Sequence, residues 1–471
     1  MRVTRDVVAR VAGVPGAVRA TVEVVGLMLA AFVAVWVART VGPAYVGYFA
    51  VAVAIFQLGA VVINVGLAQA GSQRVGNDAE RSTEAWWTVC TGRIAPAVAA
   101  TGLGEALVAV TPLDPTLASY LRVGLLAWLA LPFRSEWLLV ARGLVGSASA
   151  VRLAGALASA VTAVTLIRRD SDAGFVPLLL VLPTAVAAFV SVALLVRLRL
   201  IRSVPSPRSL VGAIREYLSD GRHYLKADLS VFVYMSSDRL FLYAFSTPTV
   251  VGLYDAAYKV IQPFYSVSAV VGDAMFLPLT HAFAEQRLAP VFRRYVDLMC
   301  VATIPFGFLM TAYSPWLIGL LYGDRFAGAA VYLAILGWVI TFGYTSGVVV
   351  IPFLSWNRPR EYGNAVLGGS VVNLVLNLAL IPPMAGIGAA VATVAAKVAV
   401  TLAGIRYFWK ATSYPVLRDF VVYFAISAVA FAASVSAIAV LRSADGVGVL
   451  VFGGTYLVLA AVTRLPAHVG R

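Results

Sequence analysis

Ionisable side chains set inside long apolar runs are the residues of this chain whose type and place could do chemistry. Four of them fall in 228–278: Asp238 and Arg239 in one apolar segment, Asp255 and Lys259 in the next, with the polar turn Ser246-Thr247-Pro248-Thr249 between. Arg93, Arg122, Arg134 and Lys397 lie in apolar runs elsewhere, as do Glu105 and Glu136, with Glu23 near the end of another. A basic side chain facing lipid at the bilayer centre costs about 2.5–3.5 kcal/mol. Six such bases would cost roughly 15–21 kcal/mol, more than the net stability of most domains. The side chains near helix ends therefore snorkel, and the rest face protein or a water-filled cavity. Spanning helices that present charge inward point to a transport pathway.

These residues need helices to hold them. Apolar runs of about 20 residues predict fourteen helices, near 20–38, 44–70, 86–110, 117–141, 150–167, 175–196, 228–245, 250–276, 296–321, 329–354, 363–381, 386–408, 420–441 and 446–463. Lys397 falls eleven residues after Gly386 and twelve before Trp409, near mid-span, where it either faces a cavity or pairs with an acid of a neighbouring helix. Arg134 follows Pro132, which is expected to break the fourth helix and free backbone groups. Glu136, two residues on, is expected to point away from Arg134. Lys259 follows Asp255 by four residues on one face, a spacing that suits an intrahelical ion pair as well as a cavity. Arg239 beside Asp238 leaves the same two readings open. Arg93 is seven residues from Trp86, and Arg122 is close to a helix end. The acids Asp238, Asp255, Glu105, Glu136 and Glu23 are candidates for ion coupling or for pairing with these bases.

The rest of the composition agrees. The chain has 471 residues, of which 61% are hydrophobic and 12% charged, with mean hydropathy +0.88. A soluble domain is nearer half apolar and a quarter charged, so this is an all-α polytopic membrane protein. The formal charge of +14 is a topology signal and does not point to nucleic acid. With the N-terminus in the cytoplasm, twenty-five of the thirty-six Lys and Arg residues fall in inner segments and five in outer loops, the asymmetry that positive-inside orientation predicts. Both termini are then cytoplasmic. Cys90 and Cys300 read as buried thiols, and the three histidines have no metal-pair spacing, so neither a metal nor a cofactor is implied. No phosphate-binding glycine loop occurs, so ATP is not the direct energy source. No nucleophile or acid-pair constellation sits on the short outer loops, so no enzyme is expected.

The basic stretch 197–227 contains Pro205, Pro207 and an amphipathic piece, and reads as a cytoplasmic linker lying on the inner surface. It joins an N-terminal lobe, 1–196, to a C-terminal lobe, 228–409, and two further helices occupy 410–471. Val46-Gly47-Tyr48-Phe49 and Val251-Gly252-Leu253-Tyr254 open long spans 205 residues apart, which suggests two six-helix lobes related by a parallel pseudo-twofold axis.

Asp238-Arg239-Leu240, Val251-Gly252-Leu253-Tyr254, Leu321-Tyr322-Gly323-Asp324-Arg325-Phe326, Gly66-Leu67-Ala68 and the run NLVLNLALIPPMAGIGAA at 373–390 resemble, in order and spacing, the polysaccharide-lipid flippases that make O-antigen and exopolysaccharide. These belong to the multidrug/oligosaccharidyl-lipid/polysaccharide exporter superfamily. Many O-antigen flippases have twelve helices, and this chain is expected to have two more. The resemblance implies a flippase that carries an undecaprenyl-pyrophosphate-linked oligosaccharide from the inner to the outer leaflet of a bacterial plasma membrane by alternating access, for surface polysaccharide biosynthesis. Its partners would be lipid-linked oligosaccharide and membrane lipids, with the polymerase and glycosyltransferases of the same pathway. Lys397, Arg134, Lys259, Arg239, Arg93 and Arg122 would face the pyrophosphate, whose dense charge suits Arg and Lys donors. A cation-coupled multidrug exporter of the same superfamily is the alternative, and it would favour inward acids over inward bases. A membrane-embedded glycan polymerase or ligase is a further alternative.

Overall fold

The computed structural model describes residues 16–464 except 203, 286, 357 and 442–444. The expected cytoplasmic termini, with Arg2, Arg5, Arg10 and Arg471, lie outside the described residues. Those residues contain helices and no strand. The helices are α1 Gly16–Val41, α2 Pro43–Asn64, α3 Leu67–Asn77, α4 Ser82–Val110, α5 Pro115–Leu125, α6 Glu136–Ala141, α7 Val145–Leu166, α8 Leu178–Arg197, α9 Pro207–Phe245, α10 Pro248–Ile261, α11 Phe264–Ala284, α12 Leu288–Tyr322, α13 Ala329–Val350, α14 Pro352–Ser355, α15 Pro359–Thr412, α16 Val416–Leu441 and α17 Asp445–Arg464. All fourteen expected segments are helical. Among the described residues, ten helices are long and apolar enough to cross a membrane, so the protein is a multi-pass membrane protein. The difference from fourteen has local causes. The eighth segment is cut at Gln262-Pro263 into α10 and α11, the eleventh and twelfth are joined in α15, the seventh lies in α9, which is not among the ten, and the fourteenth offers only the shorter apolar stretch Gly448–Ala460 of α17.

At about 1.5 Å per residue, the 54 residues of α15 would make a rod of about 80 Å, far beyond a bilayer core of about 30 Å. The helix reverses at Ala385, where φ is 47° and ψ is −125°, just after Pro382 and Pro383. A Cβ on Gly388 would lie 2.2 Å from the Leu380 carbonyl oxygen, so only glycine lets the chain fold back so closely. The two expected spans are therefore real and share one kinked helix.

The chain divides into two compact units, residues 1–243 and 244–471. The first is built round Leu67, Val89, Cys90, Leu138, Leu139, Val151 and Tyr217. Tyr217 belongs to the stretch expected to lie as a surface linker. Instead, residues 207–227 form the first half of α9, which runs into the seventh span without interruption. No proline falls between Pro207 and Pro248 to stop it, and its apolar face is covered by the core of this unit. Arg74 of α3 fastens it further, reaching Glu216 at 3.0 Å and Asp220 at 2.7 Å and lying 4.4 Å from the Tyr217 ring centroid. Exposed ion pairs of this kind contribute about 0–1 kcal/mol each, so burial of the Tyr217 face holds α9 more strongly than they do. Backbone meets backbone at the same place: Gly66, with φ +72°, would put a Cβ 2.2 Å from the Gly221 carbonyl oxygen.

The second unit is built round α13, which is buried along most of its length. The two C-terminal helices α16 and α17 dock on α12. Ile426, Ala430, Phe452 and Tyr456 pack with Phe308 and Leu309, the Tyr313 hydroxyl bonds Ser434, and the Tyr423 hydroxyl donates to Asp297 at 2.7 Å.

The close approach at Gly66 can be tested by substitution. Gly66→Ala combines a left-handed conformation with overlap against Gly221, and should cost at least about 2 kcal/mol. Gly76→Ala, at a helical position with no atom within 4 Å of the new Cβ, should leave stability unchanged or slightly raised. The melting temperature of the purified protein in detergent checks both. Equal melting temperatures would refute the close approach.

Candidate functional site

Three breaks in helical backbone shape the first unit's polar interior. The first is Asn64-Val65-Gly66, where Val65 (φ 45°) and Gly66 (φ 72°) are left-handed. The second lies in the fourth span. After α5 the chain tightens into a 3-10 segment, Leu126–Phe133, that ends just beyond Pro132. Arg134 is then extended (φ −68°, ψ 113°), Ser135 is non-helical, and α6 begins at Glu136. Proline lacks the N–H that would continue the ladder, so neighbouring helices supply donors and acceptors. The Cys90 thiol donates to the Pro132 carbonyl at 3.1 Å. The Ser191 hydroxyl donates to Phe133 O at 3.1 Å and accepts from Ser135 N at 3.2 Å. Trp86 Nε1 donates to Ser135 Oγ at 2.8 Å. The break expected from Pro132 is present, and its freed groups are met. The third is the turn between α6 and α7, where Gly143 (φ 72°) is left-handed and Leu144 is non-helical. Within the unbroken α7, Ser149 and Arg152 lie three residues and so one turn apart on one face.

A cavity of about 330 Å³ opens beside these breaks, lined by Asn64, Arg93, Arg134, Glu136, Trp137 and Arg152 together with Ala60, Ile63, Ala68 and Leu131. Arg93 is only 7% exposed. Its Nη2 donates to Asn64 Oδ1, and its Nη1 to the Arg134 carbonyl at 3.5 Å. Its buried Nε has no hydrogen-bond partner, and it makes no ion pair among the described residues. Arg134 binds Glu136 through Nε at 3.0 Å and through Nη2. Arg152 pairs with Glu23 of α1, and Ser149 bridges them, donating to Glu23 at 2.6 Å and accepting from Arg152 at 3.0 Å. A side-chain relay leads away from Arg93. Asn64 Nδ2 donates to Gln69 Oε1 at 2.8 Å, and Gln69 Nε2 to Asp228 Oδ2 at 2.9 Å.

The expectation that Glu136 points away from Arg134 is overturned. In an unbroken helix, side chains two apart diverge. Here the extended Arg134 and the non-helical Ser135 turn them towards each other. The other expected site residues lie elsewhere. Arg122 is exposed on α5 and does not line the cavity. Glu105 is half-exposed on α4 and makes no ion pair among the described residues. Asp238 and Arg239 are buried side by side, 3.6 Å apart. In the second unit, Lys259 pairs with the buried Asp255 at 2.8 Å on α10, the intrahelical option left open by their spacing. Lys397 is half-buried in the later half of α15, and its carbonyl accepts from Thr401 at 2.9 Å. Nearby on α15, Asn377 Nδ2 donates to Asn373 Oδ1 at 3.0 Å with both residues buried.

Sequence reasoning misses Asn64, Arg152, Trp137 and Ser149 as site residues. Asn64 carries a faint signal, an Asn two residues before the glycine of a turn. Arg152 falls in an inner loop by sequence because it stands at the start of an apolar run, and only the approach of α1 brings Glu23 to it.

A family model described as polysaccharide biosynthesis protein matches residues 36–331. The chain belongs to the polysaccharide biosynthesis protein family. The match takes in Asn64, Arg93, Arg134, Glu136 and Arg152, and ends before Lys397. This member of the family is 23% identical over 182 residues to the probable low-salt glycan biosynthesis flippase Agl15 of Haloferax volcanii, an alignment that covers 38% of this chain and 39% of that protein. The chain thus aligns with about two fifths of the length of that curated relative. Its fold is similar to that of the lipid II flippase MurJ in an inward closed conformation, with a TM-score of 0.73 at 12% identity over 96% of this chain and 99% of that one. It is also similar to an inward-facing multidrug resistance MATE family transporter of the MOP superfamily, with a TM-score of 0.61 at 14% identity over 83% and 96% of the two chains. The polysaccharide biosynthesis family member therefore has the fold of the multidrug/oligosaccharidyl-lipid/polysaccharide exporter superfamily.

The cavity's polar bonds can be weighed by mutation. Asn64→Ala removes the one side-chain acceptor of a buried guanidinium and should cost about 1–3 kcal/mol. Arg93→Met removes the charge itself and keeps most of the volume, so it should cost less. Thermal unfolding of the two variants in detergent checks the order, and a reversed order would refute the burial assigned to Arg93.

Proposed function

We propose that this protein is a flippase that carries an undecaprenyl-pyrophosphate-linked oligosaccharide from the inner to the outer leaflet, for surface polysaccharide biosynthesis. The observation that carries the reading is Arg93, a buried guanidinium with no acid partner among the described residues, lining a cavity with Arg134 and Arg152. A guanidinium taken from water needs an anion or several acceptors, and Arg is well suited to phosphate oxygens. Membership of the polysaccharide biosynthesis family supports a glycan as cargo. So do the curated relative, described as a flippase in glycan biosynthesis, and the likeness of fold to a lipid II flippase.

In this reading the headgroup phosphates meet Arg93 and Arg134 of the first unit, and Lys397 on α15 is a cation that transport requires. The prenyl chain stays in lipid. Transport proceeds by alternating access of two six-helix lobes, 1–196 and 228–409. The protein sits in a bacterial inner membrane with both termini in the cytoplasm, acts beside the glycosyltransferases and polymerase of its pathway, and performs no covalent chemistry of its own. The acids among the embedded charges neutralise bases in most of the cases described, which favours an anionic cargo over a cationic drug.

Surface polysaccharide in a strain lacking the native gene tests this, with protein level followed in the membrane fraction. Arg93→Ala and Lys397→Ala should each lower the polysaccharide at least tenfold at normal protein level, while Arg122→Ala should restore it fully. Full restoration by Arg93→Ala would overturn the assignment of the cavity.

A further inference from the structure

The three arginines of the first unit's cavity are not equivalent. Arg93 pairs with no acid among the described residues. Arg152 is matched by Glu23, at about equal exposure of the two side chains (41% and 39%). Arg134 is 39% exposed while its partner Glu136 is 14% exposed. Two guanidinium nitrogens, Nε and Nη2, converge on the single oxygen Oε1 of that partner. The guanidinium thus spends two donors on one oxygen, where a phosphate would offer it two oxygens for a bidentate pair. Among the described residues, Glu136 is also the one acid that lines the cavity. It is the first residue of α6.

Resting on the reading of this cavity as a phosphate subsite, we propose that Glu136 is a specificity-determining residue, a built-in anion that occupies the Arg134 fork until a polyvalent phosphoanion displaces it. A carboxylate ligand would exchange one carboxylate for another, replacing an internal contact of high effective concentration with an external one that costs translational freedom. It gains nothing. A pyrophosphate brings several charged oxygens on one rigid group. It takes the Arg134 fork and meets the Arg93 guanidinium, which lines the same cavity, so it recovers the displaced contact and adds a new one. The cavity thus admits a phosphate-linked headgroup and rejects monoanions, acidic sugars included, by competition with a group the chain carries itself.

The test uses full-length protein purified in detergent, with inorganic pyrophosphate and glucuronate as probes and calorimetry as the readout. Wild type should bind pyrophosphate and show no measurable glucuronate binding. Glu136→Gln keeps the shape and removes the charge. It should bind pyrophosphate about tenfold more tightly and bring glucuronate into the measurable range. Glu136→Asp, whose carboxylate is one methylene too short for the fork, should move both values in the same direction and serves where the Gln variant does not accumulate. If wild type binds pyrophosphate and neither variant binds it more tightly or admits glucuronate, the role of Glu136 is overturned and the phosphate subsite stands. If neither wild type nor variants bind pyrophosphate, and Arg93→Ala exports polysaccharide normally, the subsite itself falls and the role of Glu136 with it.

Discussion

A charge that leaves water inside an apolar bundle must be met by protein groups, and regular helices have almost none to offer, because their own ladders use the backbone polar atoms. The first unit answers by breaking its helices. Arg93 finds Asn64 at the last residue of α2 and a carbonyl at Arg134, where the fourth span is extended. Two breaks in different spans thus hold one buried guanidinium. Cys90, Ser191 and Ser135 take up the backbone groups that Pro132 disturbs, and Trp86 donates to the Ser135 hydroxyl. Gly66 makes the other break possible by allowing α9 to approach with backbone against backbone.

The second unit meets the same constraint by other means. Lys259 is satisfied one turn away, by Asp255 on its own helix, so the helix need not break for it. Asn373 and Asn377 serve each other at the same spacing. The reversal at Ala385 is a matter of length, since 54 residues exceed what a bilayer core accommodates as one rod. The embedded charges therefore divide in kind. The local pairs Asp255–Lys259 and Asp238–Arg239 are internally balanced, whereas Arg93 is hydrogen-bonded only by neutral acceptors, with Glu136 of the same cavity acting on it from beyond ion-pair distance. A flippase for an anionic lipid-linked glycan needs the second kind.

Much of this was legible in the residues. Apolar runs of about 20 residues place the helices because a bilayer core fixes the length that must be apolar. Pro132 marks the break at Arg134, and the prolines at 382 and 383 mark the turn between the eleventh and twelfth spans, because proline removes a donor wherever it stands. The four-residue step from Asp255 to Lys259 allowed their pair, since helical geometry is local. The linker at 197–227 was legible only as amphipathic. Whether such a face lies on lipid or on protein depends on what approaches it, and the core round Leu67 and Val89 covers Tyr217.

The sequence by itself determined the class of the protein, the order of its helices, the break after Pro132 and the turn at Pro382-Pro383, and which charges are too costly to face lipid. Each of these follows from composition or from neighbours along the chain. The break at Val65-Gly66 was not legible in it. Only the tertiary structure decided which charges share a cavity. Asn64 meets Arg93 across 29 positions, and Arg152 meets Glu23 across 129. Arg134 and Glu136 are two apart, yet their pairing depends on an extended backbone that neighbouring spans hold in place. Side-chain direction in a regular helix follows from residue number, whereas at a break it is set by whatever packs around it, and that is where this protein keeps its charge.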